Sequence, residues 1–242
     1  MNLAIDIGNT WVKVAVIEDR QVVDTFRSEE ITPDYLEWTV FGVYPHIRNG
    51  ILVSTRGDHP EIREYLENKL STFTYFTHDT PVPIENLYGT PETLGLDRLA
   101  ASVGANAAYP EDNVLIFDLG TAITIDFVTD KGEYKGGNIS PGAGVRFRAL
   151  NQFTSRLPLR ALPEEPGFMG ASSADAIENG VANGIIYEIE GYINRFSKEF
   201  SNLRIIFTGG DGDYFARRIN HPVFVTSNLV VYGLNKILEY NV

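Results

Sequence analysis

Leu3-Ala4-Ile5-Asp6-Ile7-Gly8-Asn9-Thr10 opens the chain and leads into a second apolar run at residues 11–16. The pattern returns at residues 115–122, Leu-Ile-Phe-Asp-Leu-Gly-Thr-Ala, which lead into the apolar run at residues 123–128. Each copy is an apolar strand ending in aspartate, then a glycine turn, then another strand. The two copies lie nearly half the chain apart and keep the spacing of aspartate and glycine, so the sequence predicts a duplicated fold.

The repeated turns carry groups that can bind phosphate. Their backbone N–H groups and the hydroxyl of Thr10 or Thr121 can donate hydrogen bonds to phosphate oxygens. Asp6 and Asp118, at the strand ends, can hold a hard cation or its waters. The alternative is two ordinary hairpins with polar turns, because glycine and asparagine are common in any hairpin turn. Duplication of the whole pattern favours the binding hypothesis.

Composition limits the possible partners. The 242 residues include no cysteine and carry a formal net charge of −12. This charge argues against a nucleic-acid or anionic membrane partner. The lack of cysteine excludes disulfides and thiol nucleophiles and fits a cytoplasmic location. No apolar run reaches about 18 residues, so no membrane span is expected.

The remaining pattern alternates strands with helices in both halves. We expect a domain boundary at residues 110–113, giving domains 1–112 and 113–242. A P-loop motif and a Gly-x-Gly-x-x-Gly motif after a strand are both lacking. In the first half we expect strands at 21–26, 50–55 and 73–76 and helices at 32–41, 60–71 and 99–108. In the second half we expect helices from about 144, 173 and 228, and a strand from 203 that ends at a glycine pair.

The duplicated layout resembles the actin, sugar-kinase and acetate-kinase ATPase superfamily. That resemblance implies an α/β fold of two tandem ribonuclease-H-like (actin-like ATPase) domains, each a mixed sheet flanked by helices, with a phosphate loop from each. More narrowly, residues 6–10 resemble the Asp-x-Gly-Asn-Thr opening of the type III pantothenate kinases. Residues 136–142 resemble that family's Gly-Gly-x-Ile-x-Pro-Gly segment. A further block matches at Tyr88, Pro91, Gly95, Asp97 and Arg98, although Thr90 stands where the family often has asparagine.

The resemblance implies a role for each matched position. Asp97 corresponds to the catalytic base, and Asp118 to the position that binds a monovalent cation, K⁺ or NH₄⁺. Asp6 would lie near Mg²⁺ through water. The implied ATP-binding residues are Asp6, Ile7, Gly8, Asn9, Thr10, Trp11, Val12, Lys13, Thr121, Gly209 and Gly210. The implied pantothenate-binding residues are Tyr88, Gly95, Leu96, Asp97, Arg98 and Ser173, where Ser173 replaces a frequent threonine.

Two of these motifs, and an apolar stripe predicted on the helix from residue 173, have structural alternatives. Asp97 could simply cap a helix, with Arg98 paired to a carboxylate. The glycines of residues 136–142 could form a packing turn instead of an anion site. The stripe Ile177, Val181, Ile185, Ile189 and Ile193 could face the protomer's own sheet. The resemblance implies instead a homodimer whose interface lies on this helix and completes the substrate site.

The implied activity is ATP-dependent phosphorylation of pantothenate to 4′-phosphopantothenate, the first step of coenzyme A biosynthesis. Two alternatives remain open at this point. One is a kinase of the same superfamily that acts on another small hydroxylated acceptor. The other is a non-catalytic regulator that retains the fold.

Overall fold

The computed structural model of the protein describes residues 1–242 and divides into two compact units. The first unit contains residues 1–111, 128–135 and 228–242, and the second contains residues 112–127 and 136–227. No helix is long and apolar enough to cross a membrane. The strands are β1 (Asn2–Ile7), β2 (Val12–Glu18), β3 (Gln21–Ser28), β4 (Asn49–Ser54), β5 (Thr72–Tyr75), β6 (Glu85–Asn86), β7 (Asn113–Leu119), β8 (Ala122–Val128), β9 (Glu133–Pro141), β10 (Leu203–Thr208) and β11 (Phe224–Val225).

Seven α-helices accompany these strands; six begin close to the residues that the sequence predicts, and the one at Gly212–Ala216 does not correspond to a predicted helix. They are α1 (Pro33–Tyr35), α2 (Pro60–Lys69), α3 (Leu96–Ala108), α4 (Ala143–Gln152), α5 (Ser173–Glu199), α6 (Gly212–Ala216) and α7 (Leu229–Tyr240). The Thr32 hydroxyl caps α1 by accepting from the Tyr35 amide at 3.1 Å. The helix expected at 32–41 is α-helical for only its first turn and continues as a π-helix over Leu36–Phe41, which sequence periodicity does not signal.

The predicted mixed α/β fold is confirmed, and its two sheets repeat one strand order. The first sheet runs β3-β2-β1-β4-β5, with antiparallel pairs on the β2 side of β1 and parallel pairs on the β4 side. The second runs β11-β10-β7-β8-β9-β6. In both, the strand that carries the aspartate is central, flanked by the strand that follows its turn and by a later parallel strand. Such a central strand is buried on both faces, which explains its continuous apolar residues.

The C-terminal helix belongs to the first unit, although its place in the sequence assigns it to the second half. Its apolar face is buried at Leu229, Val231, Leu234, Ile237 and Leu238, and it packs against α3 and β1. A helix packs where its apolar face finds a complement, and sequence position alone does not reveal that complement.

The apolar stripe of α5 faces the core of the second unit. Ile177, Val181, Ile185, Ile189 and Ile193 are buried there with residues of β7, β8 and β10. The stripe therefore stabilises its own protomer, and it is not the surface that could contact a second copy.

Candidate active site

The turn between β1 and β2 is a short exposed loop in the first unit. The Gly8 amide donates to the Trp11 carbonyl at 3.0 Å, closing a turn whose residues Asn9, Thr10 and Trp11 are exposed. Asp6 is at the carboxyl end of β1, opposite Lys13 on β2. The Lys13 ammonium donates to Asn228 Oδ1 at 3.3 Å. The structure thus brings together the residues that the sequence assigns to the first phosphate loop.

Two residues that directly follow β4 donate hydrogen bonds to carbonyl groups of this turn. Thr55 donates both its amide, at 2.9 Å, and its hydroxyl, at 3.2 Å, to the Ile7 carbonyl. Arg56 donates its Nε to the Gly8 carbonyl at 2.5 Å and its Nη1 to the Glu29 carbonyl at 2.8 Å. No sequence motif marks Arg56; its only signal is a basic residue just after a buried strand.

A second group of predicted residues lies at the start of α3 in the first unit. Gly95 is the N-cap residue, and a Cβ there would lie 2.6 Å from Asp97 Oδ1. Asp97 Oδ1 accepts from the Arg98 amide at 2.9 Å, within the first turn of the helix. Asp97 therefore is not the cap itself, and its carboxylate is held at the positive end of the helix dipole.

Arg98 is almost entirely buried despite its charge. Its side chain is 6% exposed, and its guanidinium carbon lies 5.9 Å from the centroid of the Tyr88 ring. The Tyr88 ring in turn lies 6.1 Å from that of Tyr134 on β9. Burying a cation costs free energy unless the cation is paired, so the residues around this position must accommodate the guanidinium. The structure brings Tyr88, Asp97 and Arg98 into one cluster.

The corresponding turn of the second unit places Asp118 against the glycine pair after β10. Asp118 on β7 is in register with Thr208 on β10. The next residue, Gly209, has φ of +85°, and a Cβ there would lie 2.5 Å from both Asp118 Oδ1 and the Leu119 carbonyl oxygen. The Asp211 amide donates to that same carbonyl at 2.9 Å. Only glycine satisfies both the left-handed backbone and the close approach.

Thr121 lies at the exposed tip of the second turn, and its carbonyl accepts from the Gly142 amide at 3.0 Å. Residues 136–141, which could have been a glycine-rich anion loop, are instead part of strand β9. Gly142 is the N-cap residue of α4 and ties the start of that helix to the turn.

Ser173 is the first residue of α5 and lies on a groove of the second unit. The groove, with a volume of about 760 Å³, is lined mainly by apolar side chains of α4 and α5, together with Arg146, Thr154 and Ser173. The Ser172 hydroxyl caps α5 by accepting from the Asp175 amide at 3.2 Å. Ser173 itself is exposed.

A second cavity of the same unit is lined in part by Asp211, the residue that follows the glycine pair. Asp211, Arg148, Arg160, Phe147 and Leu162 help to line its volume of about 490 Å³. Burial raises the pKa of the Asp211 carboxyl above its usual range. An apolar wall with a few polar side chains is typical of a small-molecule site.

Comparison with known proteins identifies the family. The family model for type III pantothenate kinases matches residues 2–195. A type III pantothenate kinase of Bacteroides fragilis is 43% identical over 242 residues, covering 100% of this chain and 98% of the relative. One from Phocaeicola vulgatus is 42% identical over 241 residues, covering 100% and 99%. The chain belongs to the type III pantothenate kinases.

Solved structures with lower identity support the fold of this family member. A Campylobacter jejuni protein assigned to the Baf family of transcriptional activators has a TM-score of 0.64 at 22% identity, covering 99% of this chain and 98% of that one. A Sinorhizobium meliloti protein assigned as a 2-dehydro-3-deoxygalactonokinase has a TM-score of 0.62 at 14% identity, covering 100% and 99%. The fold is that of the actin-like and sugar-kinase ATPases, as predicted.

Proposed function

We propose that this chain transfers the γ-phosphoryl group of ATP to the primary hydroxyl of pantothenate, giving 4′-phosphopantothenate and ADP. The observation that carries the proposal is full-length identity of 42–43% to type III pantothenate kinases, combined with the Tyr88–Asp97–Arg98 cluster at the start of α3. Phosphoryl transfer requires positioned phosphates, neutralised charge and an oriented nucleophile.

The two turns are the proposed phosphate loops. Residues 6–13 offer exposed turn amides, the Thr10 hydroxyl and the Lys13 ammonium to the phosphates. Thr121 contributes a hydroxyl from the second turn. The cavity lined in part by Asp211, next to Gly209 and Gly210 in the sequence, accommodates the nucleoside, with Phe147 and Leu162 as its apolar wall.

Pantothenate is a carboxylate with hydroxyl groups, and the proposed binding residues match this chemistry. Buried Arg98 would meet the negative charge, and Tyr88, Gly95 and Leu96 lie next to it in sequence or space. Ser173 is a further proposed pantothenate ligand. In the transfer step the acceptor oxygen attacks the γ-phosphorus, the bond from phosphorus to the β,γ-bridging oxygen breaks, and Asp97 accepts the hydroxyl proton. ADP leaves with the electrons of the broken bond.

Two cations complete the proposed site. The Asp6 carboxylate at the end of β1 suits Mg²⁺, which proteins commonly bind through one or two carboxylates together with substrate phosphates and water. The Asp118 carboxylate, at the carboxyl end of β7, is the proposed ligand of K⁺ or NH₄⁺, since such hard cations take oxygen ligands. Both ions would supply charge neutralisation next to the phosphates.

A homodimer is the proposed assembly, and the cytoplasm the proposed location. Its support is a set of large apolar side chains on the second unit: Phe153, Phe168 and Met169 are 82%, 85% and 80% exposed. Interaction surfaces commonly carry exposed apolar side chains of this kind. The segment that displays two of them is held in place, because the Gly167 amide donates to Asn179 Oδ1 and its carbonyl accepts from Asn183 Nδ2, each at 2.9 Å.

An acceptor panel with an ADP-release assay tests the proposed reaction. Pantothenate should give the highest kcat/KM, and sugars or other hydroxy acids should give little turnover. Preference for a different acceptor would support the first alternative, another small-molecule kinase of this fold. ATP binding without turnover on any acceptor would support the second, a non-catalytic regulator.

A further inference from the structure

Arg56 makes contacts that its position in the sequence does not explain. Its guanidinium spans two chain segments, donating to the Gly8 carbonyl at 2.5 Å and to the Glu29 carbonyl at 2.8 Å. Its own amide donates to the Ser54 hydroxyl at 3.1 Å, which ties the residue to the end of β4. The first turn, the end of β3 and the end of β4 are therefore joined through one side chain.

Both acceptors of the Arg56 guanidinium are uncharged carbonyl oxygens. A guanidinium normally pairs with a carboxylate where one is within reach, and this chain carries 32 acidic residues. Arg56 is exposed, and its described contacts include no carboxylate. Three of its five N–H groups are not used by the two carbonyls. Its positive charge thus lies beside the first turn without a neutralising partner.

The contact with Gly8 controls where the next amide points. A trans peptide unit is planar, and its C=O and N–H point in opposite directions. Holding the Gly8 carbonyl on the Arg56 side therefore directs the Asn9 N–H to the other side of the turn. The Asn9 amide donates to no protein acceptor in the structure. It is available for a ligand oxygen, in an orientation that Arg56 sets.

The neighbouring peptide follows the same rule. Thr55 holds the Ile7 carbonyl, and the Gly8 N–H points away from it to the Trp11 carbonyl at 3.0 Å. Two successive peptide units of the turn are thus fixed from the β4 side. The N–H of Gly8 closes the turn, and the N–H of Asn9 points outward.

We propose that Arg56 is a positioning residue for ATP: it orients the Asn9 amide toward a phosphate oxygen and keeps a positive charge beside the loop. This inference rests on the proposed ATP-dependent function. It concerns nucleotide binding and not the acceptor or the proton transfer, so its effect falls on ATP alone.

Four proteins test this role: the wild type, Arg56→Ala, Arg56→Lys and the matched control Arg63→Ala. Arg63 is another exposed arginine of the same unit, and its ion pair with Glu67 lies within α2. For Arg56→Ala we expect the KM for ATP to rise about 10-fold, as the loss of a hydrogen bond from a charged donor predicts. The kcat and the KM for pantothenate should stay within about 2-fold, a spread that corresponds to well under 1 kcal/mol.

Arg56→Lys separates charge from geometry. Lysine keeps the charge but has a single ammonium that cannot bridge the Gly8 and Glu29 carbonyls as the planar guanidinium does. The expected order of KM for ATP is wild type, then Arg56→Lys, then Arg56→Ala, with Arg63→Ala equal to the wild type. If Arg56→Ala does not fold, the rise in Arg56→Lys over Arg63→Ala carries the test.

A wild-type KM for ATP in both Arg56 variants would overturn the proposal. A lower kcat together with similar rises in the KM for ATP and the KM for pantothenate would also overturn it, because such a pattern indicates general damage to the site. If the wild type turns over no acceptor, the proposed reaction has failed, and the ATP-induced rise in Tm still tests Arg56. Because bound ligand stabilises in proportion to ln(1 + [L]/Kd), the rise should be smaller in Arg56→Ala than in Arg63→Ala. Equal rises would again overturn it.

Discussion

Gly209 and Asp118 approach so closely that a Cβ on Gly209 would lie 2.5 Å from Asp118 Oδ1. The same glycine has φ of +85°, a conformation that costs an L-residue energy. The two requirements coincide where the strand carrying the proposed cation ligand meets the strand carrying the glycine pair. The close packing of residue 209 against Asp118 therefore requires glycine at that position.

Gly209→Ala should lower the free energy of unfolding by about 1–3 kcal/mol, because both backbone strain and the clash with Asp118 oppose the methyl group. Denaturant unfolding measures this change. The control is Gly210→Ala, where a Cβ meets nothing within 4 Å. We expect the free energy of unfolding of that variant to lie within about 0.5 kcal/mol of the wild-type value. Equal stability of the two variants would contradict the close approach.

A cation site at Asp118 should discriminate among monovalent ions. Ion selectivity depends on cavity size and the number of ligands, so K⁺ or NH₄⁺ should activate and Na⁺ should activate poorly. Steady-state rates in matched chloride salts measure this. Asp118→Asn should abolish most of the difference between K⁺ and Na⁺, whereas Asp213→Asn, at an exposed aspartate of the same unit, should keep it. Equal activity of the wild type in both salts would rule out this site.

Asp97→Asn tests the proposed base. General-base contributions are typically about 10²–10⁴-fold, so kcat should fall by that order while the KM for ATP changes little. The amide can still accept from the Arg98 amide as Asp97 Oδ1 does at 2.9 Å, so Tm should hold. Asp34→Asn, an exposed first-turn aspartate of α1, is the matched control and should keep full kcat. A near-normal kcat for Asp97→Asn would remove Asp97 from the mechanism.

The proposed homodimer predicts a particle of about twice the chain mass of 27.0 kDa at micromolar concentration. Light scattering measures this mass. Phe168→Ser combined with Met169→Ser should weaken the dimer, because the two side chains are among the most exposed apolar groups of the second unit. Trp38→Ser is the control: Trp38 is 79% exposed but belongs to the first unit. A mass of one chain across the range would contradict the assembly.

The duplicated strand–turn–strand pattern predicted a repeated fold, because its apolar strands and glycine turns are local features. The mixed α/β architecture was implied by the resemblance to the ATPase superfamily. A helix from residue 32 was predictable from the local sequence. The π-helix at Leu36–Phe41 was not, since its apolar residues fit an α-helix equally well. The α5 stripe showed that one face is buried but could not show against what, and the structure places it against its own sheet.

The candidate site was predictable only where side chains lie in a motif. Asp6, Asp97 and Asp118 could be located from their neighbours in sequence, but their roles come from family resemblance and remain predictions. Arg56 acts through main-chain carbonyls of segments 48 and 27 residues away in sequence. A backbone acceptor has no residue signature, so no pattern could reveal this contact.

Phosphorylation of pantothenate by this chain can be tested in a single reaction. The most direct measurement incubates the wild-type protein with ATP, Mg²⁺, K⁺ and pantothenate and follows the product by mass spectrometry. We expect a product one phosphoryl group heavier than pantothenate, formed in equal amount with ADP and lost when Asp97→Asn replaces the wild type. Absence of that product, with a folded wild-type protein whose Tm is raised by ATP, would show that the chain does not phosphorylate pantothenate.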